Sequence, residues 1–401
     1  MPAPLRRLLV PLLVLLYAVV SVVPAWLGLR GPANAKDWAS YHYAVQVAAD
    51  GGDPYALAAL EQAAGADGFA HTVYPYLYPP PFLLGVWWMA PLSHPLSRDL
   101  LFAVNQLAWV GLALVLWRWF RAPPLLLGLI AVTMTPITHA GRLGQVNGVV
   151  AALVALALWR RSGGVLSVAA MIKMSPALYL PAWAAQGRWK PTAAAVAGAV
   201  VLSVLALVVV PLDVQAHFYR DLLPGFSSGA YNGLQVPIAL NANHSIPNLL
   251  DAIWPGPDAH TLAGGVRRAT SALLLAALAG GAWLARQADD ALSEACAFGA
   301  LTAALVVLPV FAYEHHLSLL VLPVAALGTA LVQGRLPRWA WAVALLAYLG
   351  VAWPLGAFRQ AIRAAPELAW AIRETKLIGT LLIGGLCVWA VLRGKSVIGR
   401  N

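Results

Sequence analysis

Residues 193–212, AAAVAGAVVLSVLALVVVPL, run for twenty positions without a charged side chain. At a rise of about 1.5 Å per residue, a helix of this length crosses roughly 30 Å of hydrocarbon. Similar apolar segments recur near 8–28, 99–119, 266–286, 315–333 and 375–393, and with shorter ones they number about twelve. The alternating pattern of an outer-membrane barrel is missing. Of the 401 residues, 61% are hydrophobic and 10% charged, against roughly 25% charged in a soluble domain. The sequence therefore describes an all-α polytopic membrane protein.

A net charge of +10 would suggest nucleic acid as the partner of a soluble protein. Here the Lys and Arg residues sit in short connections between apolar segments, where they report orientation instead. Arg6, Arg7, Arg335, Arg338, Arg393, Lys395 and Arg400 favour the cytoplasm. Counting from them puts the two long connections, 29–81 and 213–265, and Glu314-His315-His316 outside a cytoplasmic (inner) membrane. Simple alternation would then place Arg118, Arg121, Arg160 and Arg161 outside as well, against the same rule. Some crossings must be irregular, and 82–93 and the break at Lys173-Met174-Ser175-Pro176 are the candidates.

Ala33-Asn34-Ala35 after the first apolar run resembles a signal-peptide cleavage site, but that run is longer than a usual signal sequence. Cys296 and Cys387 both fall inside apolar runs, which suits packing better than a disulfide or a metal site. The first long connection has apolar and aromatic residues at helical spacing from Lys36 to Asp50. A second helix is expected from Pro54 to Ala64, with Gly51-Gly52-Asp53 as the turn between them. These read as surface helices of the first outer loop. Residues 1–333 form the expected catalytic module and 334–401 a set of C-terminal membrane helices.

Several polar groups interrupt this apolar background. Asp37 is either a general base at the membrane face or the cap of the helix that follows. His315 and His316 open a span, where ionisable groups are costly and hence functional candidates, or else interfacial anchors. Lys173 is a lone cation beside a helix-breaking Pro176, suited to binding a phosphate or to snorkelling. Gly141-Arg142-x-Gly144-Gln145-x-Asn147 is either an ordinary turn or a way of bringing Arg142 and the two amides to a cavity. It lacks the spacing of a phosphate-binding nucleotide loop. Asn243-His244-Ser245 matches a glycosylation acceptor and could equally touch a ligand.

Taken in order, Asp37-x-x-x-Tyr41, Gly52-Asp53-Pro54-Tyr55, Tyr78-Pro79-Pro80, Gly144-Gln145-x-Asn147, Lys173-x-x-Pro176, Asn243-x-Ser245 and His315-His316 resemble glycosyltransferase family 87. These are integral-membrane enzymes of the GT-C fold that use polyprenyl-phosphate-mannose. The resemblance implies a GT-C-like bundle of about twelve transmembrane or half-membrane helices, with Asp37 as catalytic base. It also puts His315 and His316 at the donor phosphate, joined there by Lys173 and Arg142. Tyr41, Asp53, Tyr55, Tyr78, Gln145, Asn147, Asn243 and Ser245 then bind substrate or shape loops. Glu314, an acid where the family carries an aromatic or small residue, either tunes a histidine or competes for the base role.

The implied partners are a polyprenyl-phosphate-linked sugar donor, a lipid or glycan acceptor, and membrane lipids, with no nucleic acid, cofactor or metal. The rival is a transporter or flippase of similar size. Such proteins commonly show two repeated halves, and no repeat is visible here.

Overall fold

In the computed structural model most of the described residues are helical, and none of them forms a strand. Residues 3–31, 35–234 and 236–398 are described. Ala33 and Asn34 of the candidate cleavage site, and Arg400, lie outside them, and the side chains of Arg6, Arg7 and Lys395 are likewise not described.

Six helices are long and apolar enough to cross a membrane: Pro11–Leu29, His94–Phe120, Trp189–Val208, Gly264–Gln287, Glu314–Val332 and Pro366–Arg393. Two further pairs, Pro124–Thr133 with Thr135–Leu143 and Trp339–Ala352 with Leu355–Ala364, are bent by 55° and 91°. Three apolar helices are shorter: Asn147–Arg160, Gly163–Ile172 and Ala291–Val307. The irregular middle expected from the charges is present. Residues 82–93 form only the short helix Phe82–Val86 and a 3-10 turn, Trp87–Met89. The helix Gly163–Ile172 stops at Lys173, and the chain resumes as the 3-10 turn Ser175–Tyr179 ahead of Leu180–Ala185. Pro176 has no amide hydrogen to continue the helix ladder.

These interruptions account for Arg161, one of the four arginines that simple alternation misplaces. Arg161 and Arg188 both pair with Glu294, and Arg335 pairs with Asp290 one turn earlier on the same segment. The three cations therefore share one face of the protein, where simple alternation would have split them. Ala291–Val307 runs from this basic face toward Glu314, and its 17 residues amount to about 25 Å.

The most enclosed spans are Glu314–Val332 and Pro366–Arg393, while Pro11–Leu29 and Trp189–Val208 are peripheral. One continuous apolar cluster joins residues from Ala25 to Val391. Cys296 and Cys387 are free and buried within it. Both helices expected in the first long connection form, as Lys36–Ala49 and Leu57–Ala66, with Gly51 at φ +77° in the turn. Lys36–Ala49 is not laid open on a surface, however: Trp38, Tyr41, His42 and Tyr43 are all buried. Aromatic contacts from Phe69, Tyr78 and Phe82 close over it.

Gly144 sets how closely the next structural piece approaches this helix. It ends Thr135–Leu143 at φ +71°, and a Cβ there would lie 2.4 Å from the Trp38 Cβ. Only glycine meets both conditions at little cost. Gly144→Ala should therefore lower the thermal midpoint of the detergent-solubilised protein, with the backbone strain alone worth on the order of 1–3 kcal/mol. An unchanged midpoint would show that this close approach is not needed.

Candidate active site

Asp37 is the second residue of the helix Lys36–Ala49, whose cap position is Ala35 in a left-handed conformation, φ 63°. The Ala35 amide donates to the Arg142 carbonyl at 3.1 Å. Asp37 is thus not the capping residue, and its side chain keeps partial exposure. Burial pushes the carboxyl up from 3.8 to about 6, while the Lys173 charge, the Gln145 side chain and the Lys36 charge pull it back down. A carboxylate poised in this range can take a proton near neutral pH.

Gln145 follows Gly144 and is buried at the junction. Its Oε1 accepts from Lys173 Nζ at 2.9 Å, from the Tyr78 hydroxyl at 3.2 Å and from the Tyr41 hydroxyl at 3.4 Å. With donors gathered on that side, the amide NH₂ is left to face elsewhere, and the Gln145 side chain also stands near enough to Asp37 to favour its ionised form. One amide therefore stands between the acid and the cation. Lys173 Nζ also donates to Asn147 Oδ1 at 2.6 Å, and Asn147 Nδ2 donates to the His315 carbonyl at 2.6 Å. The two phenols share a 2.6 Å hydrogen bond. Burial, with the nearby Asp37 charge, keeps both well above their usual pKa, so both remain proton donors.

His315 and His316 sit in the 3-10 turn Glu314–Leu320. The Tyr313 amide donates to His316 Nδ1 at 3.1 Å, so a neutral His316 carries its proton on Nε2. The His316 side chain is partly exposed and that of His315 is buried, with ring centroids 4.2 Å apart. His315 stacks on His139 at 6.5 Å. Lys173 exerts its charge on both members of the pair.

Asp37, Lys173, His316, Tyr41, Tyr78, Gln145 and Asn147 are therefore brought together, and other expected residues are not. Arg142 does not join this network; its Nε donates to the Pro24 carbonyl at 3.4 Å. Asp53 accepts the Tyr55 amide at 2.9 Å and shapes the turn, while the Tyr55 hydroxyl donates to the Tyr78 carbonyl at 2.8 Å. Asn243 is fully buried, donates to the Ile238 and Val310 carbonyls, and accepts the Ala312 amide. It cannot carry a glycan in the folded chain. Ser245 donates to the Val310 carbonyl and caps the helix Ile246–Ile253. Both residues fasten the second long connection to 310–312.

Glu314 is buried away from this group, with Lys376 Nζ 3.1 Å from its Oε2, so the structure supplies no route for it to compete as base. Two residues of this region escaped sequence reasoning. His139 stands alone inside an apolar stretch, and Lys376 opens the last span. A charge at the head of an apolar run was the available signal for Lys376, as a cation within one was for Lys173. Among the described residues, no three His, Cys, Asp or Glu side chains gather as metal ligands.

Comparison with curated proteins gives no match, nor does comparison with solved structures. The sequence model of glycosyltransferase family 87 matches residues 76–309, more than half of the chain. That stretch contains Tyr78, Gln145, Asn147 and Lys173, while Asp37 and the histidine pair flank it. A membrane protein with this match, and with these motifs in this order, belongs to glycosyltransferase family 87.

Proposed function

We propose that this glycosyltransferase moves a sugar, mannose, from a polyprenyl-phosphate-linked donor to a hydroxyl of a lipid or glycan acceptor. The observation that carries the reading is the pairing of Asp37 and Lys173 across Gln145, an acid beside a cation at an aromatic-walled site. Mannose and the polyprenyl carrier follow from the family resemblance. The outer face of the cytoplasmic membrane is supported by the basic face around Arg161, Arg188 and Arg335. The site lies at the far end of Ala291–Val307 from it, and positive charge favours the cytoplasm. A transporter is not favoured by the family match.

In the proposed step the acceptor hydroxyl gives its proton to the Asp37 carboxylate as its oxygen bonds to the anomeric carbon. The bond from that carbon to the phosphate oxygen breaks on the opposite side, so the anomeric centre inverts. A β-linked donor would give an α-linked product. The leaving polyprenyl phosphate gains negative charge, which Lys173 and a hydrogen bond from His316 stabilise. Holding donor and acceptor in line supplies much of the acceleration. Tyr41 and Tyr78 keep Lys173 and Gln145 in place.

Purified protein in nanodiscs, offered a panel of polyprenyl-phosphate sugars, tests the reading. Asp37→Asn should lower the transfer rate by at least about 100-fold, the lower range of base catalysis; transfer at the wild-type rate would remove Asp37 from its role. The same variant should unfold at or above the wild-type temperature at pH 7. A folded-state pKa raised above 3.8 means that the ionised form opposes folding, so stability falls as pH rises toward 6. Asparagine removes that opposition.

The wild-type pH profile should rise about tenfold per unit below a pKa near 6 and level off above it, because the base acts when deprotonated. A flat profile from pH 4 to 8 would contradict this. Chelation of divalent cations should leave the rate unchanged, since Lys173 supplies the positive charge. Loss on chelation with recovery on adding one metal ion would replace that part of the mechanism.

A further inference from the structure

Lys376 is fully buried in the last span, an expensive place for an ammonium group unless oxygen atoms surround it. Four oxygens do so. Nζ lies 3.2 Å from Glu314 Oε1 and 3.1 Å from Oε2, and it donates to the Val351 carbonyl at 3.0 Å and the Trp353 carbonyl at 2.7 Å. The Phe358 ring covers it at 5.6 Å.

Those partners belong to different pieces of the fold. Val351 and Trp353 lie at the 91° bend between Trp339–Ala352 and Leu355–Ala364, where helix carbonyls lose their usual partners and attract a cation. Glu314 is the first residue of the turn that carries His315 and His316. From a third side, His244 Nε2 of the second long connection stands 3.8 Å from Glu314 Oε2. The next residue of the same turn is held from the candidate site, where the Asn147 side chain donates to the His315 carbonyl.

We infer that Lys376 is a positioning residue for sugar transfer: by clamping Glu314 against the bend, it fixes the turn that presents His316 to the leaving phosphate. This deepens, and rests on, the function proposed above. Lys376 and Glu314 both lie beyond the stretch 76–309 that matches the family. Glu314 serves as the anchor of the turn and Lys376 as the group that holds it.

The test compares the wild type, Lys376→Met, and the double variant Lys376→Met with Glu314→Gln. The single variant leaves a buried carboxylate unpaired and is expected to be unstable, whereas the double variant removes both charges and should fold. Two properties are measured on each folded protein in nanodiscs: hydrogen exchange of amides in 314–320, and the kinetics of sugar transfer. The double variant should exchange at least about tenfold faster in that turn, with 36–49 unaffected. Its kcat should fall at least about tenfold with KM little changed, because a misplaced group is missed mainly in the transition state.

Wild-type exchange in the turn of the double variant would overturn the proposal, as would a wild-type kcat. A merely structural pair would lose thermal stability in the single variant and regain both stability and rate in the double. If the wild type transfers sugar from no donor, the proposed reaction fails, and the exchange measurement alone then decides whether Lys376 holds the turn.

Discussion

A cation held inside a membrane-spanning fold has to find oxygen, and Lys173 finds it in two side-chain amides, Gln145 Oε1 and Asn147 Oδ1. Much of the site follows from that need. The helix before Lys173 must stop so that the ammonium can turn toward the amides, and Pro176 prevents its continuation. The loop bearing the amides must press against the first-loop helix, which requires a residue without a Cβ at Gly144. Asn147, having accepted from Lys173, has its own NH₂ free to hold the His315 carbonyl. Acid, cation and imidazole thus meet through two amides, although their sequence positions span nearly 280 residues.

The same arrangement explains the electrostatic setting of Asp37. Its carboxyl is pushed up by burial and pulled down by Lys173, Gln145 and Lys36, and the balance leaves it at about 6. An acid without the cation would stay protonated more readily; one in open water would be too weak a base. The surrounding phenols stay protonated, so they donate hydrogen bonds to the network without adding competing negative charge.

Local oddness in the sequence was a good guide to part of this site. A charge in an apolar run, a proline after it, and glycines beside amides each mark a place where regular structure cannot continue, and Lys173, Gln145 and Asn147 were legible for that reason. The helix around Asp37 was legible from its aromatic spacing, but its burial was not, because the side chains that cover it come from elsewhere. Asn243 and Ser245 have the polarity of ligand contacts, yet their bonds run to the carbonyls of Ile238 and Val310. Nothing within a few residues distinguishes those two uses. Glu314 looked like a rival base until its partner appeared 62 positions away in Lys376. Pairings over that distance are set by how helices pack, which no short motif records. Simple alternation misplaced Arg161 for a related reason: it counts crossings, and broken helices upset the count.

The ten residues of Gly163–Ile172 measure about 15 Å along their axis, roughly half the thickness of a hydrocarbon core. That helix starts two residues after Arg161 on the basic face and delivers Lys173 at its other end. Half a hydrocarbon thickness of helix thus separates Lys173 from the Arg161 end. In the proposed transfer, a carrier phosphate would come to Lys173 at the end of that half-length helix, and the acceptor hydroxyl would have to reach the same point. Reach would then act as a filter on acceptors in the proposed reaction, separate from any contact with their sugars: a hydroxyl on a flexible stalk arrives there more readily than one on a short or stiff headgroup.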